Sequence, residues 1–486
     1  MGSDTSKPLP PLSDDSYISI TSWSTDTLIL FYFKDKEVEA VRNAILANWK
    51  KGIASEEYLC EEDKKNPTNK NCLKIKMSGR PFATMGPLTS EKTGSEMRLM
   101  IAGILDALHA NGWSVVVNSD MVEEFDTCFW LFQRGEADSS RCCSIALSAK
   151  NKIRVNDANR EVLDDVKKVC EEHWKGGIRV EEDSAKERTV KIEFKEGTPW
   201  STSNHEEVAS SHLLVAELVK KMASHQYGLY SNTNFRGLTD TLYFKQDQVK
   251  EAEMASIQVL VPDTMLFIRF PESICATLSE VIQEYWPKGI QSSEVSGHSI
   301  KFNGRPFCRQ MDTHTQDSIH ARNMVTKMVK KLASVGYMVQ AGLNLSRLEK
   351  EKTNFLFRKT KPVDADFMCL SANFEDRLQL MNAPVDVCEA VKNVVTTLWL
   401  KGESERELTS YPEISYQTKV KGTPWSMFNF ADVLYGQALL LHVIVAIQSL
   451  GWKMVCSGDL LYKFDGQKHK GVYGTDIHAW WFMKQE

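Results

Sequence analysis

The sequence lacks an excess of basic residues and long blocks of like charge. Among its 486 residues, 59 Lys and Arg are balanced by 64 Asp and Glu, which gives a formal net charge of -5. Nucleic-acid-binding proteins usually carry a basic patch or stripe, so this composition argues against a nucleic-acid partner. The chain is 42% hydrophobic and 25% charged, as expected of a globular protein that buries large cores.

Targeting signals are scarce as well. The first residues, Met1 to Ser6, lack the apolar segment of a secretory signal, and no apolar run of about 18 residues stands out, so we expect no transmembrane helix. Gly2 and Ser6 match the N-myristoylation pattern. The alternative is that residues 1–16 form an unmodified, disordered leader. A single acyl chain gives only marginal membrane binding, so we expect a membrane partner only if Gly2 is acylated.

Metal-binding and catalytic signatures are also missing. The eleven cysteines show no Cys-x-x-Cys spacing, so neither a zinc ribbon nor a disulfide scaffold is indicated. Reduced, mostly buried thiols in the cytoplasm are the better interpretation. The common zinc-protease, serine-hydrolase and P-loop motifs are absent. We therefore predict no metal, no cofactor and no identifiable catalytic residue, and we favour a non-enzymatic role while leaving catalysis open.

What the sequence does contain is one motif, Gly-x-Pro-aromatic, four times. It is Gly-Arg-Pro-Phe at residues 79–82 and 304–307, and Gly-Thr-Pro-Trp at residues 197–200 and 422–425. A tryptophan followed three residues later by glycine precedes each copy; the tryptophans are Trp49, Trp174, Trp286 and Trp399. Landmarks in a common register identify repeats. We predict four repeats of about 105 to 120 residues, at 17–135, 141–246, 255–360 and 365–486.

The hydrophobic pattern of each repeat predicts strand, strand, helix, strand, helix, strand, strand. Such ββαβαββ units place the protein in the α+β class, with antiparallel sheets covered by helices. Repeats one and three carry the Arg-Phe form of the motif, and repeats two and four carry the Thr-Trp form. The repeats therefore work in unlike pairs, and we expect two pseudo-equivalent halves.

The Gly-x-Pro-aromatic motif has two interpretations. Glycine permits a positive φ at the end of a strand, and proline holds the residue before it extended. In the structural interpretation, the motif is an elbow whose aromatic side chain anchors the following helix in the core. In the functional interpretation, Phe82 and Phe307 line a ligand site.

A polar residue recurs in the otherwise apolar second helix of each repeat. It lies fifteen residues before the aromatic residue that closes the helix, and it is Arg98, His212, Arg322 or Gln437. One interpretation is a donor that satisfies buried carbonyls of the Gly-x-Pro loop. The other is one anion site per half, at Arg98 and Arg322 and strengthened by Arg80 and Arg305, because arginine binds carboxylate or phosphate bidentately.

Trp480 and Trp481 are adjacent in the last predicted strand. Successive side chains of a strand point to opposite faces. We therefore expect one of the two indoles to face away from the core, towards solvent, a cavity or a partner.

Repeated structure without a repeated reactive constellation favours a non-catalytic binding or scaffold protein that presents grooves between repeats to a protein partner. The alternative is a carrier or sensor of a small, partly apolar anionic ligand. An enzyme of unrecognised class is the third hypothesis, because a fold alone does not exclude chemistry.

Overall fold

The structure is a computed structural model, and the residues that it describes cover most of the chain. They are 9–59, 71–83, 91–120, 128–182, 189–234, 239–293, 298–309, 315–346, 348, 351–373, 376–399, 401–402, 414–425, 430–460, 462–463 and 476–485. Gly2, the predicted acylation site, lies outside them.

The first two repeats share one order of elements. The first contains β1 (Tyr17–Trp23), β2 (Thr27–Phe31), α1 (Asp35–Asn48), β3 (Ile53–Tyr58), β4 (Cys72–Met77), α2 (Glu91–Ala110), β5 (Trp113–Asp120) and β6 (Cys128–Arg134). The second contains β7 (Cys142–Ser148), β8 (Lys152–Asn156), α3 (Arg160–His173), β9 (Ile178–Glu182), β10 (Thr189–Phe194), α4 (His205–Ser224), β11 (Tyr227–Thr233) and β12 (Thr241–Gln246).

The last two repeats follow the same plan with small variations. The third contains β13 (Met254–Leu260), β14 (Thr264–Ile268), α5 (Glu272–Tyr285), β15 (Ile290–Ser293), β16 (Ser299–Phe302), β17 (Cys308–Arg309), α6 (Thr315–Ser334), β18 (Tyr337–Leu343) and β19 (Glu351–Lys359). The fourth contains β20 (Phe367–Asn373), β21 (Arg377–Met381), α7 (Val385–Leu398), β22 (Ser415–Lys419), α8 (Phe430–Ser449), β23 (Trp452–Gly458), β24 (Tyr462–Lys463) and β25 (Asp476–Lys484).

Each repeat builds one antiparallel sheet. The strand orders are β3-β4-β2-β1-β6-β5, β9-β10-β8-β7-β12-β11, β15-β16-β14-β13-β19-β18 and β22-β21-β20-β25-β23, and β17 and β24 form a separate short parallel pair. Eight helices accompany these four sheets in the part of the chain that the structure describes. The predicted α+β class and the four tandem repeats are therefore confirmed.

The large sheets of the first three repeats each contain one strand more than the hydrophobic pattern indicates. The added strands are β3, β9 and β15, each at the outer edge of its sheet. In β3, the side chains from Ala54 to Glu57 are all exposed. Because no apolar face has to be buried there, the segment does not alternate like a half-buried strand and resembles a polar loop in sequence.

Both faces of the first sheet are covered. Ile18 and Ile20 face the core that the first repeat shares with α1 and α2. Their neighbours Ser19 and Thr21 point to the opposite face, yet both are fully buried. The second face of the sheet is therefore also packed against protein.

The chain divides into two compact units, and in each the second helix of one repeat packs on the sheet of another. The described residues of compact unit 1 fall within Met1–Ser201, Lys221–Glu251 and Asn429–Val445. There α2 contacts β7 and β8 of the second repeat. Phe430 of α8 packs edge-on against Trp23 of the first repeat, with 5.0 Å between ring centres.

The described residues of compact unit 2 fall within Thr202–Lys220, Ala252–Phe428 and Ala446–Glu486. There α6 contacts β20 and β21 of the fourth repeat. Val208 of α4 belongs to an apolar cluster with Leu260, Leu266 and Ile268 of the third repeat. This packing covers the second face of the third and fourth sheets.

One sequence expectation was wrong for this reason. Trp480 and Trp481 do point to opposite faces, but both are completely buried, because helices cover both faces of these sheets. Helix α8 is apolar and long enough to cross a membrane by length and composition, with a hydropathy of 1.8, but 89% of its apolar segment is buried inside the protein. A helix that is apolar all round is typical of a core position as well as of a membrane span.

Candidate functional site

The Gly-x-Pro-aromatic motif forms the same elbow in all four repeats. Its glycines have positive φ values of 85° at Gly79, 80° at Gly197, 80° at Gly304 and 90° at Gly422. The aromatic residues of the motif are 0–3% exposed: Phe82, Trp200, Phe307 and Trp425. A side chain larger than glycine is strained at such φ values, so the glycine is required by the turn.

The landmark tryptophan of the first helix is tied to this elbow by a hydrogen bond. In each repeat, the indole Nε1 donates to the carbonyl of the residue just before the elbow glycine. The pairs are Trp49 to Ser78 (2.9 Å), Trp174 to Glu196 (2.9 Å), Trp286 to Asn303 (3.0 Å) and Trp399 to Lys421 (2.7 Å). The landmarks therefore form one structural joint that connects the first helix to the elbow.

Phe82 and Phe307 both lie inside apolar cores. Phe82 belongs to the core cluster of the first repeat, and the ring of Phe307 packs edge-on against Phe302 at 5.4 Å. Arg80 and Arg305, the neighbouring residues of the motif, are exposed. The motif thus holds each arginine at the surface and each aromatic ring in the core.

The polar residues of the second helices are placed against the sheet of another repeat. Arg98 is half-buried; its Nε donates to Thr241 Oγ1 (3.2 Å), and its Nη2 lies 3.5 Å from Ser148 Oγ. Arg322 and Gln437 are each 1% exposed. Arg80 is exposed, whereas Arg98 contacts β12 and the end of β7. The two arginines therefore lie in different environments.

His212, the fourth member of this set, is a buried neutral imidazole. Its Nδ1 donates to the Val208 carbonyl (2.6 Å), which assigns the ring proton to Nδ1. Burial lowers the pKa of His212 to about 4, partly opposed by the Val208 carbonyl and the Gln258 side chain. A proton on Nε2 is therefore disfavoured at neutral pH.

A second polar cluster lies in compact unit 1 and is not part of the repeat pattern. We call it the Lys245 cluster; it consists of Asp106, His109, Asp138, Tyr230 and Lys245. Asp106 and His109 are three residues apart on α2, and so share a helix face. Tyr230 is the extra residue of a β-bulge in β11, between Leu229 and Ser231. A bulge of this kind re-aims the side chain it carries.

Tyr230 is the centre of the cluster. Its hydroxyl accepts a hydrogen bond from the Val115 amide (3.1 Å) and lies 3.3 Å from Nδ1 of His109. The ammonium of Lys245 lies over the phenol ring, 5.3 Å from its centre. The carboxylate of Asp138 is 3.6 Å from Nε2 of His109.

Burial shifts the pKa values of four cluster members towards neutral side chains, whereas the hydrogen bonds from Ser140 lower the pKa of Asp138. It lowers the pKa of His109, with a further contribution from the Lys245 charge, and it lowers the pKa of Lys245 itself. It raises the pKa of Asp106 and of Tyr230. Titratable groups perturbed by burial and by one another are more frequent at functional sites than elsewhere.

Lys245 is the least satisfied member. It is 4% exposed, and Nζ has no hydrogen-bond partner among the described residues. Asp106 accepts from the Cys142 amide (2.8 Å), and Asp138 accepts from the amide and hydroxyl of Ser140 (3.0 and 2.6 Å). The carboxylates are thus bound to backbone and hydroxyl donors, whereas the buried ammonium is not.

The positions that correspond to His109, Tyr230 and Lys245 in compact unit 2 are apolar, whereas Asp106 corresponds to Lys330, which pairs with Asp366. Lys245 pairs with Cys142 across strands β12 and β7, and in the fourth repeat Met483 pairs with Phe367 in the same way. His109 stands four residues before the aromatic residue that begins β5, as Ala333 does before β18. Ala333, Phe367, Val455 and Met483 belong to one apolar cluster. The fold therefore forms at this place without the histidine, tyrosine and lysine of the cluster.

The sequence analysis missed His109, Tyr230 and Lys245. No local motif joins residues so far apart in the chain. A residue-by-residue comparison of the two halves could have found them. Lys245 corresponds to Met483 of the other half. Tyr230, the bulge residue of β11, corresponds to Val455 of β23.

Other reactive groups of the described residues are buried. Ten free cysteines are present there, and all except Cys388 are buried. Burial raises the pKa of Cys143 and of Cys170 to about 12, so these thiols are protonated at neutral pH. No group of three or more His, Cys, Asp or Glu side chains in the described ranges is placed to hold a metal ion.

Comparison with known proteins gives a family but no named relative. One domain model matches the chain four times, over residues 16–139, 141–245, 253–358 and 366–483. Neither the comparison with curated proteins nor that with solved structures found a match. Because the four matches cover most of the chain, the protein belongs to the family defined by this domain and carries it in four tandem copies.

Proposed function

We propose that the protein is a non-catalytic binding scaffold of the cytoplasm whose partner is another protein, bound along exposed sheet edges. The observation that carries this proposal is a set of three equivalent edge strands. Within the described residues β3, β9 and β15 each pair with one strand only, namely β4, β10 and β16. An extended segment of a partner adds to such an edge through main-chain hydrogen bonds.

At alternate residues of these strands, the main-chain amide and carbonyl point away from the strand that each of them pairs with among the described residues. The Leu59 amide donates to the Cys72 carbonyl (2.9 Å), so in β3 the residues at even distance from Leu59 face β4. The amide of Glu56 consequently faces outward. The bond from Lys195 to the Gly177 carbonyl (3.0 Å) places the amide of Val180 outward in β9 by the same alternation.

Glutamates on two of these edges are already paired within the protein. Arg42 donates through Nε and Nη2 to the two carboxylate oxygens of Glu56, at 2.8 and 2.7 Å. In β9, Glu181 forms an ion pair with Lys191. With the charges matched internally, the main chain is the principal unsatisfied feature of the edge.

The rest of the described structure supports binding rather than chemistry. The repeated landmarks form a structural joint, and the thiols described above are protonated and buried. Free, buried cysteines also agree with a reducing compartment. Grooves between repeats were the expected binding surface; the sheet edges are now the more specific candidate.

Replacing the outward-facing residues by proline tests the proposal. In β15 the same alternation, counted across the bulge from the bond of Asn303 to the Gly289 carbonyl (3.0 Å), places the Ser293 amide outward. Proline at Glu56, Val180 and Ser293 removes three edge amides, and proline is tolerated on edge strands. The matched control carries threonine at the same three positions, so it loses the same side chains but keeps the amides. Both variants should unfold at similar temperatures.

Native mass spectrometry of the chain purified from cells that express it provides the readout. We expect a stoichiometric protein partner with the wild type and with the threonine control, and none with the proline variant. A partner that remains bound to the proline variant, or a wild type that carries only a small molecule, would contradict the proposal.

A second candidate function is the binding of a small anionic ligand. Arg322 favours it, because it places a guanidinium at a position that is 1% exposed. Arg98 and Arg322, with Arg80 and Arg305 nearby in sequence, remain the proposed contacts in this case. Acylation of Gly2 is likewise a proposal, tested by the mass of the N-terminal peptide from eukaryotic cells.

A further inference from the structure

The Lys245 cluster contains a buried positive charge that the described residues leave without an acceptor. Lysine ammonium groups have three N–H donors and no acceptor. A buried charge is normally paired or hydrogen-bonded, because its transfer from water is costly. The cation–π contact with Tyr230 offsets part of this cost but satisfies none of the donors.

The fold does not require this charge. In compact unit 2 the equivalent place is filled by Ala333, Val455, Met483 and their apolar neighbours. The two pseudo-equivalent halves thus fill these three positions differently: compact unit 2 has apolar side chains there, and compact unit 1 has Lys, His and Tyr. A polar arrangement kept where an apolar one fits indicates a role other than stability.

We propose that the Lys245 cluster is the binding site of a small oxyanion, a carboxylate or a phosphate, whose oxygens accept from the Lys245 ammonium. The half-buried His109 supplies a second donor. Its Nδ1 lies 3.2 Å from the Ser114 hydroxyl and 3.3 Å from the Tyr230 hydroxyl, and either hydroxyl can donate to it. When Nδ1 accepts, Nε2 carries the proton, and its distance of 3.6 Å from the Asp138 carboxylate is longer than a normal hydrogen bond.

Nearby charges of both signs surround the site. Asp106, Asp138, Asp247 and Arg141 are the ionised groups that face Lys245 or its neighbours. Asp138 and Asp247 are exposed, so water screens their repulsion of an anion. Burial raises the pKa of Asp106, and the Cys142 amide, which donates to its Oδ1 at 2.8 Å, opposes that shift.

Calorimetric titration of the full-length protein with inorganic phosphate, and separately with acetate, tests this site at constant ionic strength. We expect saturable binding of one equivalent of at least one probe, and the probe that binds distinguishes phosphate from carboxylate recognition. Lys245→Met should weaken that binding about tenfold or more, because it removes the charged donor. Lys453→Met, at an exposed lysine of compact unit 2, is the matched control and should bind as the wild type does.

Thermal unfolding separates loss of the site from loss of the fold. Because Met483 occupies the equivalent position, Lys245→Met should unfold at the same temperature as the wild type or at a higher one. His109→Gln should retain the fold and weaken binding less than Lys245→Met. The absence of saturable binding of either probe by the wild type, or equal binding by Lys245→Met, would overturn the proposal.

Discussion

Replacing His212 by glutamine should remove an acid-sensitive step from the stability of compact unit 2. His212 is 2% exposed, and burial holds its pKa at about 4, against an ordinary value of 6.5. Glutamine is a fitting replacement, because Gln437 occupies the equivalent helix position in the fourth repeat and is 1% exposed. His205→Gln, at an exposed site on the same helix, is the control.

The sign and size of the effect follow from the pKa difference. Because the folded-state pKa is depressed, the folded state favours the neutral ring. As the pH falls below about 6.5, the unfolded chain therefore binds a proton that the folded chain does not, and stability is lost down to about pH 4. A difference of roughly 2.5 pKa units corresponds to about 3 kcal/mol of unfolding free energy.

Urea unfolding followed by tryptophan fluorescence measures this loss at a series of pH values. Between about pH 7 and pH 4, the stability of the wild type should fall by about 3 kcal/mol more than that of His212→Gln. His205→Gln should follow the wild type. If His212→Gln and the wild type lose stability in parallel, or if NMR gives His212 an ordinary pKa, the assigned burial of this imidazole is wrong.

Three further comparisons test the packing. Gly342→Ala should lower the melting temperature of the protein severely, because a Cβ there would lie 2.0 Å from the Ser457 carbonyl oxygen. Gly135→Ala is the control: the nearest atom to a Cβ there is 3.8 Å away, so the melting temperature should stay nearly unchanged. Trp286→Phe removes the indole donor at the elbow and should cost about 1–3 kcal/mol in urea unfolding; an unchanged midpoint would mean that the indole hydrogen bond is dispensable. Arg322→Ala should lower the melting temperature more than Arg98→Ala, because only Arg322 is fully buried. Equal melting temperatures would mean that the burial of Arg322 does not contribute to the stability of the fold.

The repeat and its elbow could be predicted from sequence because they depend on local rules. A glycine that must adopt a positive φ and a proline that follows two residues later leave the same mark in every copy. The tryptophan of the first helix keeps a fixed distance from its glycine, since the helix always ends at that indole. Such constraints act between residues that are close in the sequence, so a short stretch is enough to recognise them.

The remaining features depend on contacts between distant segments. The expectation for Trp480 and Trp481 failed because it assumed a sheet with one free face, whereas the Trp481 indole packs against α6 of the third repeat and donates to Thr326 Oγ1 (3.1 Å). The edge strand β3 lacks an apolar pattern, because its side chains face solvent. His109, Tyr230 and Lys245 come together only once α2, β11 and β12 have packed, so no sequence window contains them all.

The central claim, that exposed edge strands bind a protein partner, is tested most directly by hydrogen–deuterium exchange of the chain with and without its co-purified partner. We predict that peptides containing the outward amides of Glu56, Val180 and Ser293 exchange about tenfold more slowly in the complex, because these amides become hydrogen-bonded. Unchanged exchange in all three strands, with protection elsewhere on the chain, would contradict the account.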